Sequence, residues 1–160
     1  NIYKSNNGFR VGVLNLIGNV FMKKSDNVFE TSKKFLSSNK LKENFDFLIV
    51  DFHGETTSEK MAIGHFFDGN ATLVVGTHTH VPTNDSKVLE KGTAYQTDAG
   101  MCGVYDSVIG MNKEISLKRF LNISSEKWLP AKGEATICGV IVDANVDTGL
   151  AINIKSFIYG

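Results

Sequence analysis

The chain has 160 residues, of which 42% are hydrophobic and 21% charged, and its 17 basic side chains balance 17 acidic ones. This composition is typical of one globular domain and excludes a disordered tail, a collagen-like fibre and a coiled coil. A net charge of zero argues against strong binding to polymeric nucleic acid or to an anionic membrane, whereas a small charged substrate can still bind at a local site.

The cysteines and the start of the chain bear on its location and extent. Cys102 and Cys138 are too few for a disulfide framework and lack the pairing of a cysteine-rich zinc site. No stretch approaches the roughly 18 apolar residues of a membrane span, and no signal peptide is visible, so we expect a cytoplasmic protein. The polar, turn-rich opening at Asn1 leads us to expect the C-terminal part of a longer chain.

Strands and helices alternate in the first half of the chain, and strands predominate in the second. Apolar runs predict strands at residues 9–17, 45–51 and 71–75. Helical spacing predicts helices at 26–41, with Ser25 or Asp26 as its N-cap, and at 57–67. Turn residues and patterning then predict a small hairpin at 88–95, a glycine-containing loop at 98–111, a helix at 113–121, and a hairpin of strands 135–144 and 150–158. This order predicts an α/β fold with a mixed sheet covered by helices.

Three of the four histidines follow predicted buried strands. His53 comes after the run at 45–51, and His78 and His80 come after the run at 71–75. Ligand sites form at the carboxyl ends of strands in such sheets, so we expect these three side chains to converge. Neutral imidazole is a good ligand for Zn, Fe, Mn or Ni. Any one of the three histidines alone, however, is better explained as a hydrogen-bonded residue at a strand end. His65 lies within a predicted helix and is expected to be a surface or packing residue.

Polar residues near the histidines extend the candidate site. Asp51 and Glu55 alternate with His53, so all three point to one side if the backbone is extended, and carboxylates commonly orient metal-bound histidines. Ordinary solvated charges explain Glu55 equally well and Asp51 better. The loop at 98–111 either offers amides and hydroxyls to a phosphate or is a plain connection. The candidates for orienting a ligand or contacting a substrate are Glu55, Thr77, Asp98, Tyr105 and Asp106.

Three blocks of sequence resemble a known enzyme family. Residues 51–60 (DFHGETTSEK), 76–81 (GTHTHV) and 97–111 (TDAGMCGVYDSVIGM) are similar, in this order, to the YmdB-type bacterial metallophosphoesterases of the calcineurin-like superfamily. The resemblance runs through nearly the whole chain. It implies a four-layer α/β/β/α sandwich, with residues 1–160 as the C-terminal part of a single domain and roughly half of it.

The resemblance also implies a function and a set of ligands. The family's activity is hydrolysis of phosphodiesters, including 2′,3′-cyclic nucleotides, at two divalent metal ions, which would be Fe, Mn or Zn. By this resemblance His53 and His78 ligate one metal and His80 the other. The family's Asp, bridging Glu, Asn and catalytic His are expected upstream of Asn1, so the 160 residues alone are expected to be inactive. The expected partner is a small phosphoester, and a homo-oligomer remains open.

Two other functions remain open at this stage. A relative of the CapA-like capsule-synthesis proteins would carry similar histidine blocks, although residues 56–60 and 98–111 argue against it. A regulatory module that binds metal or nucleotide without turnover is the non-enzymatic alternative. Metal analysis followed by a phosphodiesterase assay separates these hypotheses.

Overall fold

The computed structural model describes all of residues 1–160 and contains two sheets and three helices. The first sheet contains β1 (Ile2–Lys4), β2 (Arg10–Ile17), β3 (Phe47–His53), β4 (Leu73–Thr77), β5 (Lys87–Val88) and β6 (Ala94–Gln96), and the second contains β7 (Ile137–Ala144) and β8 (Ala151–Tyr159). The helices are α1 (Val28–Ser38), α2 (Thr57–Phe67) and α3 (Lys113–Phe120). None of them is both long enough and apolar enough to cross a membrane.

The larger sheet is mixed, as the sequence predicts, and has the strand order β1-β2-β3-β4-β6-β5. Its four central strands are parallel, and β1 and β5 pair antiparallel at the two edges. Helices α1 and α2 make the crossovers from β2 to β3 and from β3 to β4. The carboxyl ends of β2, β3 and β4 therefore lie side by side at one edge of the sheet, which is where this class of fold binds its ligands.

Each face of the central sheet is covered by a different element. Alternate residues of β3, such as Val50 and Phe52, are fully buried with Ile63 and Phe67 of α2 in the main core. On the other face a smaller core joins Val75 of β4 to residues of the β7–β8 hairpin. The alternation arises because successive side chains of a strand point to opposite faces. The complete four-layer sandwich stays a prediction.

Several element boundaries differ from the sequence prediction. Strands β3 and β4 each begin and end two residues later than the apolar runs, because parallel pairing continues to the pair His53 and Thr77. His53 is thus the last residue of β3 and not a residue beyond it. Helix α1 is capped by Asn27, whose side chain accepts hydrogen bonds from two backbone N–H groups, so the prediction of Ser25 or Asp26 as N-cap is wrong.

A close backbone approach joins the end of β4 to the segment after β6. A side chain at Gly76 would place its Cβ 1.7 Å from the carbonyl oxygen of Thr97, so only glycine fits there. The backbone N–H of Ala99 donates to the Gly76 carbonyl at 2.9 Å. This contact brings the segment that carries Asp98 directly beneath the loop that carries His78 and His80.

Candidate functional site

Two of the predicted histidines meet at the carboxyl edge of the sheet. The Nε2 atom of His53 lies 3.0 Å from Nδ1 of His78, and the two rings are nearly perpendicular with centroids 4.7 Å apart. Parallel pairing of β3 with β4 places His53 opposite Thr77, and His78 is the next residue. The contact therefore follows from the strand register.

Hydrogen bonds fix which nitrogen of His53 carries its proton. The Thr77 hydroxyl donates to a carboxylate oxygen of Asp51 at 2.8 Å, so its oxygen is free to accept from Nδ1 of His53 at 3.2 Å. Asp51 also accepts from the side-chain amide of Asn15 at 2.7 Å. The Nδ1–H tautomer leaves the lone pair of His53 on Nε2, the atom that faces His78.

A second carboxylate orients His78 in the same way. Its Nε2 lies 2.9 Å from a carboxylate oxygen of Glu55, which favours a proton on Nε2 and, in a neutral His78, a lone pair on Nδ1. Nδ1 of His78 lies 3.0 Å from the lone pair on Nε2 of His53, so a proton on Nδ1 hydrogen-bonds the two rings, and a metal ion bound by both nitrogens would replace that proton. Two nitrogens bound to one ion at about 2.1 Å stand about 3.0 Å apart at the right angle of an octahedral site, and about 3.4 Å apart in a tetrahedral site, so the separation of this pair would suit neighbouring ligands of an octahedral ion.

His80 turns away from this pair. Its Nδ1 lies 2.8 Å from the carbonyl oxygen of Ile109, to which it donates, and its Nε2 keeps a lone pair with no hydrogen-bond partner. The structure contains no group of three or more His, Cys, Asp or Glu side chains placed to hold one metal ion. The chain thus brings together two imidazole donors, His53 and His78, and presents a third separately.

The loop that carries His78 and His80 is strained and firmly held. Both residues have positive φ angles, 103° for His78 and 68° for His80, which are costly for residues other than glycine. Between them, Thr79 donates its backbone N–H and its hydroxyl to the same carboxylate oxygen of Asp98, at 3.1 and 2.7 Å. Asp98 therefore acts on the histidines by positioning the residue between them.

A buried ion pair stabilises Asp98 in this role. Lys60 of α2 donates to Asp98 at 2.7 Å, and both side chains are 1% exposed. Burial pushes the pKa of Asp98 upward, but hydrogen bonds from Lys60, Gly100 and Thr79 outweigh it and hold that pKa below its usual value. The carboxylate stays ionised and keeps all its hydrogen bonds.

We expect replacement of Lys60 by methionine to lower the free energy of unfolding by about 3–5 kcal/mol, because it leaves the Asp98 carboxylate buried without its counter-ion. Urea unfolding measures this loss. The double variant Lys60→Met with Asp98→Asn is the control, and it recovers part of the loss because the remaining group is neutral. A Lys60→Met protein as stable as wild type would show that the pair does not hold this loop.

The other two loop candidates lie elsewhere. The Tyr105 hydroxyl lies 3.2 Å from the backbone N–H of Met101 and 3.0 Å from Sγ of Cys138, so it joins the loop to β7. Asp106 is exposed and accepts from Lys113 at 2.7 Å. Neither side chain has a hydrogen bond to a histidine ring, and we assign both to the shape of the loop.

One part of the site escaped the sequence analysis. A cavity of about 380 Å³ lies against the paired histidines and is lined by Ile17, Phe21, Met22, Lys23, His53 and His78. Three of these residues belong to the segment that follows β2. The sequence feature that could have identified these residues is their position directly after a predicted strand, where sheets of this class bind ligands.

Comparison with known families and proteins agrees with this arrangement. A family model described as YmdB-like protein matches residues 1–157. The chain belongs to the YmdB-like family. It is 40% identical over 153 residues to the 2′,3′-cyclic-nucleotide 2′-phosphodiesterase of Bacillus subtilis strain 168, an alignment that covers 96% of this chain and 57% of that protein. A putative phosphatase/phosphodiesterase of Mycoplasma pneumoniae is also 40% identical, over 94% of this chain and 53% of its own length.

Solved structures of two bacterial proteins share the fold. A phosphatase from Mycoplasma pneumoniae superposes with a TM-score of 0.86 at 38% identity, covering 98% of this chain and 55% of that one. A hypothetical protein from Thermus thermophilus gives a TM-score of 0.88 at 36% identity, covering 99% of this chain and 60% of that one. The chain therefore spans only a little more than half the length of the relatives it matches.

Proposed function

We propose that the chain supplies histidine ligands to a metal-dependent phosphodiesterase that hydrolyses phosphodiesters such as 2′,3′-cyclic nucleotides. The observation that carries the proposal is the pair of imidazole nitrogens, His53 Nε2 and His78 Nδ1, which face each other 3.0 Å apart, while the other nitrogen of each ring lies beside Thr77 or Glu55. The name of the Bacillus subtilis relative supports the substrate class.

The proposed cofactors are two divalent ions, Fe, Mn or Zn. His53 and His78 hold one of them, and the unpartnered Nε2 of His80 binds the other. Two histidines are fewer than the three protein ligands that a catalytic metal ion usually has. We therefore propose that residues 1–160 form part of a single metallophosphoesterase domain, whose remaining ligands and catalytic histidine lie outside them.

Each polar neighbour has a defined task in this proposal. Thr77 accepts from Nδ1 of His53, and Glu55 lies 2.9 Å from Nε2 of His78, so both rings are oriented to present their other nitrogen to the ion. Asp98 fixes Thr79 and so sets the separation of His78 from His80. A bound divalent ion supplies Lewis acidity and lowers the pKa of a coordinated water, which is the chemistry that phosphodiester hydrolysis needs.

The direct test is an assay of the natural full-length protein, loaded with Mn²⁺ or Fe²⁺, on 2′,3′-cyclic AMP. We expect release of adenosine monophosphate that stops when a chelator removes the metal. The variant His65→Ala is the control, since this exposed histidine of α2 lies outside the site, and it keeps wild-type turnover. Bound metal without turnover would favour the regulatory module over the enzyme.

A further inference from the structure

We propose that the segment after β2 forms the nucleotide-binding side of the site, with Phe21 stacking on the base and Lys23 contacting the phosphate. The ligand class rests on the proposed function, but the surface itself is a feature of the structure. Phe21 and Lys23 line the same cavity as His53 and His78. A ligand in that cavity therefore touches the aromatic ring, the lysine and the histidines together.

The conformation of Phe21 is unusual for a side chain of its size. It is 88% exposed, and its φ angle of 59° lies in the left-handed region that residues with a side chain rarely adopt. Burial of the Phe21 ring does not offset the energetic cost of this backbone conformation, because the ring has almost no contact with the core. Strain of this kind concentrates at ligand-binding sites, where the surrounding structure maintains it.

The backbone before Phe21 is held in place by buried partners. Glu59 of α2, only 7% exposed, accepts from the N–H groups of Asn19 and Val20 at 2.8 and 3.3 Å. The Gly18 N–H donates to the carbonyl oxygen of His53 at 2.9 Å. The segment is thus tied both to a helix of the core and to a site histidine, so the backbone that leads to Phe21 is preorganised.

The side chains of this segment match the parts of a nucleotide. An exposed aromatic ring stacks on any base, and Met22 beside it adds a second apolar surface. Lys23 forms no salt bridge in the structure, so its charge is free to meet an anion. Because the ring and the histidines line one cavity, a nucleotide whose phosphate lies at the histidines has its base within reach of Phe21.

The first test compares two substrates in the natural full-length protein. We expect Phe21→Ala to lower kcat/KM for 2′,3′-cyclic AMP by about 5- to 100-fold, the range that one base stacked on one aromatic side chain supplies. Glycerol 1,2-cyclic phosphate has the cyclic phosphodiester but no base, so its kcat/KM changes by less than about 2-fold in the same variant. Tyr3→Ala, which removes another exposed aromatic ring at the opposite end of the sheet, changes neither substrate.

The second test uses two neighbouring lysines. Lys23 lines the cavity and Lys24 does not. We expect Lys23→Met to lower kcat/KM for both substrates by about 2- to 5-fold, the size of one exposed charge pair. Lys24→Met leaves both unchanged. Equal effects of the two lysine variants would overturn the phosphate contact.

Another outcome would assign Phe21 to protein packing. If another segment of the full-length protein covers the ring, Phe21→Ala lowers the unfolding midpoint and reduces turnover of both substrates equally. That result, or unchanged kcat/KM for 2′,3′-cyclic AMP, would overturn the proposal.

A binding experiment distinguishes failure of this proposal from failure of the proposed phosphodiesterase function. Adenosine 3′-monophosphate and ribose 5-phosphate are titrated by calorimetry into wild type and Phe21→Ala. Selective loss of nucleotide affinity in the variant supports the Phe21 site even if the wild type hydrolyses nothing, in which case only the phosphodiesterase proposal fails. Equal affinities of wild type and variant for the nucleotide would overturn the Phe21 site even if the wild type is an active phosphodiesterase.

Discussion

Replacing His78 with alanine in the natural full-length protein lowers kcat/KM for 2′,3′-cyclic AMP by at least about 100-fold. The loss follows because, in the proposed site, His78 Nδ1 and His53 Nε2 bind the same cation, and these two nitrogens lie 3.0 Å apart. Changes to residues that only orient a metal ligand cost about 10- to 100-fold, so removal of the ligand itself costs at least as much. Steady-state assays with metal analysis of the purified variants check both consequences.

Two further variants separate loss of a ligand from loss of structure. His53→Ala removes the other imidazole of the pair, and residue 53 lies in a β-strand, whereas residue 78 has a positive φ angle. We expect it to lower activity by a similar factor, and this loss cannot be attributed to the unusual backbone of residue 78. Glu55→Gln keeps the ring and weakens its orientation, so its effect is smaller than that of His78→Ala. Wild-type turnover and metal content in His78→Ala would contradict the assignment of this residue.

We expect residues 1–160 alone to hydrolyse 2′,3′-cyclic AMP at less than about 1% of the rate of the full-length Bacillus subtilis relative. Only two imidazole donors converge in the chain, and no third His, Cys, Asp or Glu side chain is placed to hold the same ion. A catalytic metal ion usually has at least three protein ligands, so these residues bind an ion loosely and leave its position poorly defined.

The measurement uses both proteins at equal concentration, loaded with Mn²⁺ or Fe²⁺ and checked for folding by circular dichroism. A folded but inactive 160-residue protein that binds metal weakly is the expected result. Comparable turnover by the two proteins would mean that the 160 residues contain all the catalytic groups, and our placement of the metal site would then be wrong.

The sequence predicted the mixed α/β fold and the meeting of His53 with His78 because both follow from short-range patterns, whereas its expectation that His80 joins them is wrong. Apolar runs separated by helical segments favour parallel strands, and parallel strands bring the residues after them to one edge. His53 and His78 therefore meet. Patterns along the chain could not reveal that Thr77 bridges His53 to Asp51 or that Lys60 pairs with Asp98, since these contacts depend on strand register and on how a helix packs.

The sequence also could not identify the binding segment after β2. Phe21 resembles any apolar residue near a predicted helix, and the bonds from Asn19 and Val20 to Glu59 of α2 that hold the backbone before it do not show in the sequence pattern. The direction of His80 is a similar case. Its ring turns to the carbonyl of Ile109, a contact between two loops that spacing along the chain does not specify.

The central claim is that His53 and His78 bind the same divalent ion. The measurement that tests it most directly is a crystal structure of the natural full-length protein grown with Mn²⁺, with an anomalous difference map at the manganese edge. The account predicts a peak bonded to His53 Nε2 and His78 Nδ1 at about 2.0–2.3 Å. An active, manganese-loaded protein whose anomalous peaks all lie away from these two nitrogens would contradict it.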